Sequence, residues 1–422
     1  MRTFSLLRII ITIFILRSVI ICGQNGCWLT QTSMSVARNL LSVVELDGTI
    51  YAIGGSSNGN TSLAVVEAYD TSSGTWSDKA SLPQTLCSTC AAVLNNKIYV
   101  FGGGVAGVYG SIVKTVYEFS PDSNTWVRKS DIPIELTNAT AEAVNGKIYL
   151  IGGTGAGFNF AYNSVYEYNP ANDTWLEKTD MPTARFGHSS AVVDEKIYVF
   201  GGTTNNSLAG IASVESYDPL SDTWIEKLPL PFNVCLHTAS VVNGLVYNFT
   251  GGDGYSFLYE FVEEYAPILD SYTMKSSIPT PRWGAGSCTI GRKVFVIGGA
   301  DINNQRLTTV EEYDPALDLT DVKGQENQND ISKVFNLYQN IPNPFNPKTT
   351  INFSIPKEVR VNLVIYDILG KKVKDLKNEV MKPGYYQVKF NASALPSGIY
   401  FYRIKAVDPS TGSGQSFIQT KI

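Results

Sequence analysis

Residues 97–103 read KIYVFGG, and residues 196–202 repeat that phrase letter for letter. Near copies stand at 49–55 (TIYAIGG), 147–153 (KIYLIGG), 245–252 (LVYNFTGG) and 293–299 (KVFVIGG). Diglycines therefore fall at Gly54-Gly55, Gly102-Gly103, Gly152-Gly153, Gly201-Gly202, Gly251-Gly252 and Gly298-Gly299, with spacings of 48, 50, 49, 50 and 47 residues. Six copies at one period identify a repeat architecture. Each copy is a short β-branched and aromatic run stopped by glycine, which reads as a strand buried on both faces.

Outward from each diglycine the pattern continues. A polar loop leads into an alternating strand ending in an aromatic at Tyr69, Phe119, Tyr168, Tyr217, Tyr265 or Tyr313. Asp-Pro or Asn-Pro usually follows and stops the strand. A tryptophan then opens another strand at positions 76, 126, 175 and 224. The unit is four strands and turns, with no helical period. Trp28 precedes the first diglycine by 26 residues, as Trp76, Trp126 and Trp175 precede theirs; Trp224 is 27 away, and Tyr272 replaces Trp at 26. No Trp follows Tyr313. The chain thus begins with an orphan fourth strand and ends with a repeat that lacks one, and the simplest geometry seats the Trp28 strand in the last repeat, closing a ring without free edges.

This signature of diglycine, Tyr-Asp-Pro and Trp resembles the Kelch family of β-propellers. The resemblance implies six blades over residues 24–318, with the strand before the diglycine near the central channel and the Trp strand outside. It implies little about function, because the repeated residues pack the blades.

Composition agrees with an all-β chain. The 422 residues include 36 Gly, 23 Tyr, 19 Phe and 6 Trp but only 2 His, which excludes a three-histidine metal site by counting. Residues 24–333 hold 18 Lys+Arg against 33 Asp+Glu, net −15, whereas residues 334–422 hold 12 against 5, net +7. An acidic body repels phosphate backbones, so nucleic acid is not an expected partner.

The first 23 residues carry Arg2 and Arg8, an apolar run from Ile9 to Leu16, and Gly23 where a peptidase could cut. That run is far short of the roughly 20 residues that span a bilayer, and residues 1–23 are read as a cleaved export signal. The rival reading, a lipid anchor on Cys22, has Ile21 where a small residue belongs. No other segment is apolar enough to span. Cys27, Cys87, Cys90, Cys235 and Cys288 would remain, too few for a disulfide framework. Cys87 and Cys90 form a lone C-x-x-C, read as a local disulfide or two buried thiols rather than zinc or redox chemistry.

Residues 319–333 are polar and lack the repeat, so a linker is placed there. Residues 334–422 read as strands around tight turns, a small Ig-like β-sandwich. Pro342, Asn343, Pro344, Phe345, Asn346 and Pro347, then the VIYDILG run ending at Gly370, then SGIYFY with Gly398, resemble the C-terminal sorting domain of type IX secretion cargo. That resemblance implies a Gram-negative bacterium, the type IX machinery as a partner, and a protein released or held at the outer surface.

Three motif matches fail on context. Gly102, Gly104 and Gly107 fit G-x-G-x-x-G with no following helix to receive a phosphate. Residues 55–59 fit G-x-S-x-G without a nucleophile elbow. Asp318, Asp321 and Gly324 do not make a calcium loop.

Positions that differ between repeats are better candidates. Thirteen residues before the aromatic of each phrase stand Arg38, Leu86, Leu136, Arg185, Val234 and Arg282; ten before it stand Leu41, Thr89, Ala139, His188, His237 and Ala285. Both rows fall where the chain enters the innermost strand, near one mouth of the channel. Arg38, Arg185 and Arg282 there could fork around carboxylates or sugar hydroxyls, or tie the blades through backbone carbonyls. His188 and His237 occupy equivalent positions in adjacent repeats and share both readings. Loops after the diglycines, such as VAGVYGSIV, TGAGFNFAYN and GDGYSFLYE, mix Gly with Tyr and Phe, which suits stacking on sugar rings or a protein hot spot.

The sequence therefore reads as an exported, monomeric binding module for an extracellular glycan or protein, with no catalytic residue, metal or cofactor assigned. The alternative is an enzyme similar to Kelch sialic-acid mutarotases, in which the three arginines would hold a carboxylate sugar. Similarity to galactose-oxidase-like Kelch enzymes is weaker, because no cysteine–tyrosine crosslink motif is recognisable.

Overall fold

Each of the six phrases forms the second strand of an antiparallel four-stranded meander. In the first blade the strands run Ser42–Leu46, Thr49–Ile53, Val66–Asp70 and Thr75–Asp78, in that spatial order. The innermost strands of the six blades, Ser42–Leu46, Cys90–Leu94, Thr140–Val144, Ser189–Val193, Thr238–Val242 and Gly286–Ile290, neighbour one another around a closed circle. This is a six-bladed β-propeller.

The computed structural model describes residues 20–23, 26–105, 111–158, 160–205, 209–253, 257–316, 336–337, 347–368, 370–382, 384–393, 395–396, 398–407 and 416–421. The chain divides into two units, Met1–Leu319 and Thr320–Ile422. Residues 1–19 of the expected export signal and the expected linker, 319–333, lie outside the described residues. Ile20–Gly23 pairs as a fifth strand beside Gly26–Thr30.

The last blade closes as its missing strand requires. Gly26–Thr30 pairs with Val310–Asp314, which sets Trp28 opposite Tyr313 with ring centroids 4.8 Å apart. The same outer stack recurs between Tyr69 and Trp76, Phe119 and Trp126, Tyr168 and Trp175, Tyr217 and Trp224, and Tyr265 and Tyr272. Each outer-strand aromatic also reaches the preceding blade. The indoles of Trp28, Trp76, Trp126, Trp175 and Trp224 donate to the carbonyls of Ser276, Thr32, Ala80, Ser130 and Thr179. Tyr272 fills the sixth place because its hydroxyl donates to Leu228 O at 3.0 Å.

The second strands are buried because they are sandwiched between neighbouring blades, as continuous apolar runs demand. Where each ends, the chain must turn against the next blade's backbone. A Cβ on Gly54 would sit 2.6 Å from Leu86 O, and Gly54 and Gly55 hold φ of 60° and 101°. The fifth repeat differs from the sequence reading by one residue. Phe249 pairs with Val262 as Phe200 pairs with Val214, which places Thr250, not Gly251, at the first glycine position. Thr250 takes a φ of 55°, and its hydroxyl donates to Arg282 O while accepting from Arg282 N at 2.7 Å. A β-branched residue in that region is strained, and the two hydrogen bonds offset the strain.

The second unit packs a sheet of Asn336–Leu337, Lys348–Ile355 and Gly384–Asn391 with a sheet of Lys372–Met381, Val359–Asp367, Tyr400–Val407 and Ser416–Lys421. Ile351, Phe353 and Phe390 from one sheet meet Val361, Leu363 and Ile404 from the other in a shared core. Among the described residues the only helical element of the chain is the turn Ala156–Phe158.

Candidate functional site

The segments that carry the chain from each outer strand to the next inner strand cross one face of the propeller and bridge to the loops after the second strands, as Cys87 does to Gly104 and Cys235 to Gly252. Arg38, Arg185 and Arg282 lie on these segments, fully buried. Arg38 pairs with Glu67 at 2.8 Å, Arg185 with Glu215 at 2.9 Å, and Arg282 with Glu311. Arg185 also donates to Gly201 O and Ser213 O, and Arg282 to Gly298 O and Thr309 O. Thr183 and Thr280 donate to the other oxygens of Glu215 and Glu311, at 2.6 and 2.8 Å. These guanidiniums knit strands of their own blade, and the geometry favours the tie over the ligand fork.

His188 and His237 stand in adjacent blades, and each bonds the blade before it: His188 Nε2 lies 3.1 Å from Thr140 Oγ1, and His237 Nε2 lies 2.8 Å from Ser189 Oγ. Burial, with Arg185's charge added, pushes both imidazoles down to about 3, so they are neutral at physiological pH. Among the described residues no cluster of three His, Cys, Asp or Glu side chains could hold a metal. Cys87, Cys90, Cys235 and Cys288 are buried thiols, and Cys27 is disulfide-bonded.

Between blades 4 and 5 the same face opens into a cavity of about 480 Å³ lined by Ala209, Gly210, Pro231, Phe232, Asn233, Asp253 and Tyr259. Phe232 stacks on Phe261 at 4.8 Å with planes 17° apart, and Tyr259 lies 5.8 Å from Phe261 and 6.0 Å from Phe232. Phe232 is 37% exposed, far more than a core phenylalanine. Burial first, then the charges of Asp253 and Glu263, raise the Tyr259 hydroxyl's pKa, so it serves as a neutral donor and acceptor. The arrangement offers a flat apolar surface edged by a hydroxyl, an amide and a carboxylate. The sequence flagged Tyr259 through its glycine-rich loop but missed Phe232 and Phe261, which stand outside that loop. Their signal was the substitution of Phe and Val for Thr and Arg at 232 and 234.

In the second unit, Pro342, Asn343, Pro344, Phe345 and Asn346 lie outside the described residues. Pro347 is exposed and its carbonyl accepts from Ala392 N at 2.9 Å. Gly370 makes a left-handed turn at φ 76°, and Gly398 is exposed before the strand Tyr400–Val407.

Residues 50–259 match the Attractin/LZTR1 β-propeller family, residues 281–318 the Kelch motif, and residues 339–414 the secretion system C-terminal sorting domain. The chain is 34% identical over 94 residues to Kelch-like protein 33 of Homo sapiens, covering 22% of this chain and 17% of that protein. It is 41% identical over 71 residues to the Kelch domain-containing protein SSO1033 of Saccharolobus solfataricus, covering 17% and 9%. The chain thus spans under a fifth of the length of either relative. The solved structure of YjhT superposes with a TM-score of 0.60 at 16% identity, covering 66% of this chain and 95% of that chain, a likeness of fold.

Proposed function

We propose, from the premise that this chain is a Kelch-repeat β-propeller ending in a secretion-system sorting domain, that the propeller is a carbohydrate-binding module. The sorting domain sends the protein to the surface or exterior of a Gram-negative bacterium and makes the secretion machinery its partner. The observation that carries the proposal is Phe232 and Tyr259 on the wall of a cavity large enough for a sugar, with Phe261 stacked on Phe232. Aromatic faces pack against the C–H faces of pyranose rings, and the Tyr259 hydroxyl, Asn233 and Asp253 supply hydrogen bonds to the equatorial hydroxyls.

A mutarotase-like reading that relies on Arg38, Arg185 and Arg282 has no support in their placement, since all three are buried in pairs with glutamate. The test is a glycan array probed with the full chain and with a Phe232→Ala/Tyr259→Ala variant of unchanged melting temperature. Binding lost in the variant supports the pocket. Binding retained there moves the site elsewhere on the propeller.

A further inference from the structure

Four blades carry a glutamate just after the first residue of the third strand: Glu67, Glu215, Glu263 and Glu311. Three of these pair with Arg38, Arg185 and Arg282. In the fifth blade the arginine's position is Val234, and the position of Thr183 and Thr280, which hold the glutamate's second oxygen, is Phe232. Glu263 is only 7% exposed, and among the described residues it has neither an ion pair nor a side-chain hydrogen bond. The sequence stretches 202–210 and 252–260, whose residues Ala209, Gly210, Asp253 and Tyr259 line the cavity, contain Asp253 and Glu260 but no Lys, Arg or His.

Phe232, at the position where the sibling blades place the hydroxyl, lines the cavity, and Val234, buried two residues on, leaves the cation's position without a charge. Phe261, the residue before this third strand, stands two residues from Glu263 and stacks on the Phe232 that replaces the hydroxyl, and Glu263's charge reaches the cavity-lining Tyr259. A buried carboxylate without a partner is costly, and a cation brought by a ligand removes that cost. Aromatic rings serve the same ligand twice, since they accept both an ammonium and the face of a sugar.

We infer that the cavity between blades 4 and 5 takes an amine-bearing sugar, its ammonium standing where the sibling blades hold a guanidinium, toward Glu263 with Asp253 at the rim. This rests on the carbohydrate-binding reading. Isothermal titration of the full chain at pH 7 with glucosamine, N-acetylglucosamine and glucose tests it. Glucosamine binds about 10- to 100-fold more tightly than the two uncharged sugars, the worth of one charge-assisted contact. The isosteric Glu263→Gln change removes that preference and leaves glucose binding in place, while Phe232→Ala weakens all three sugars. Equal affinity for the three sugars, or a preference that survives Glu263→Gln, overturns the amine assignment and leaves the carbohydrate reading standing. Failure of every sugar to bind, or binding untouched by Phe232→Ala, overturns both.

Discussion

The amide of Leu40 donates to the carbonyl of Gly284 at 2.7 Å, joining the first blade to the last. It is one link of a closed belt. Ser88 N donates to Leu40 O, Asn138 N to Ser88 O, Gly187 N to Asn138 O, Leu236 N to Gly187 O, and Gly284 N to Leu236 O, all between 2.7 and 3.0 Å. All six residues hold a left-handed φ between 51° and 61°, which turns each amide along the circumference. The belt closes through Leu40 and Gly284, and the outer circle of indole and phenol donors closes only when the N-terminal strand brings Trp28 into the last blade.

That dependence makes Trp28 the most sensitive of the outer aromatics. Trp28→Phe keeps a ring against Tyr313 but leaves the Ser276 carbonyl without its donor, and is expected to cost about 1–3 kcal/mol. Trp28→Ala also empties a buried site at 1% exposure and is expected to cost about 3–5 kcal/mol. Denaturant unfolding checks both. Equal stability of the wild type and Trp28→Ala would sink the closure argument.

Thr250 tests the first glycine position from the other side. Thr250→Val keeps the strained φ and removes both hydrogen bonds to Arg282, so it should destabilise by about 2–4 kcal/mol, the strain having lost its compensation. Thr250→Gly removes the bonds and the strain together, and its melting temperature is expected to fall between those of Thr250→Val and the wild type. If the valine variant melts with the wild type, the hydroxyl does not hold this turn.

Where the sequence was legible, the reason was local. Spacing alone located Trp28 in the last blade, because pairing register translates directly into residue counts. The same counting misplaced the fifth turn by one residue, since Gly251-Gly252 imitates a motif whose first position Thr250 occupies through its side chain. Measured to Thr250, Trp224 regains the 26-residue spacing of its siblings. The arginine row was visible, but its orientation depends on a glutamate 29 or 30 residues later, and the short polar loops between gave no sign of that pairing. The cavity was less legible still, because Phe232, Tyr259 and Phe261 come from two segments that meet only across a blade seam.

Replacing Arg185 by Val recreates in the fourth blade the arrangement the fifth has by nature. Glu215 is then left buried without its cation, and a loss of about 3–5 kcal/mol is expected at pH 7. Arg185→Val/Glu215→Val removes both charges and should recover most of the stability. A double variant no more stable than the single one would show that the ion pair is not what the blade relies on.

The buried titrating groups oppose one another across the acid range. His188 and His237 fall from 6.5 to about 3 in the folded protein, so between those values the unfolded chain binds more protons and stability is lost as pH falls. Glu142, buried and bonded by Ser190 Oγ at 2.6 Å, and Glu263 are both raised by burial from 4.5 to about 7. For them the folded chain holds the extra protons, and stability is lost as pH rises from 4.5 to about 7. Between pH 4.5 and 6.5 the two pairs cancel, so the melting temperature should be nearly flat there, dropping below that window and, more gently, just above it. Glu142→Gln/Glu263→Gln removes one side of the balance. Stability of that variant should climb across pH 4.5 to 6.5 by on the order of 1–3 kcal/mol per pH unit and then hold level. A variant whose profile stays as flat as the wild type's would show that these two carboxylates ionise normally, and that the neutral side of the balance lies elsewhere.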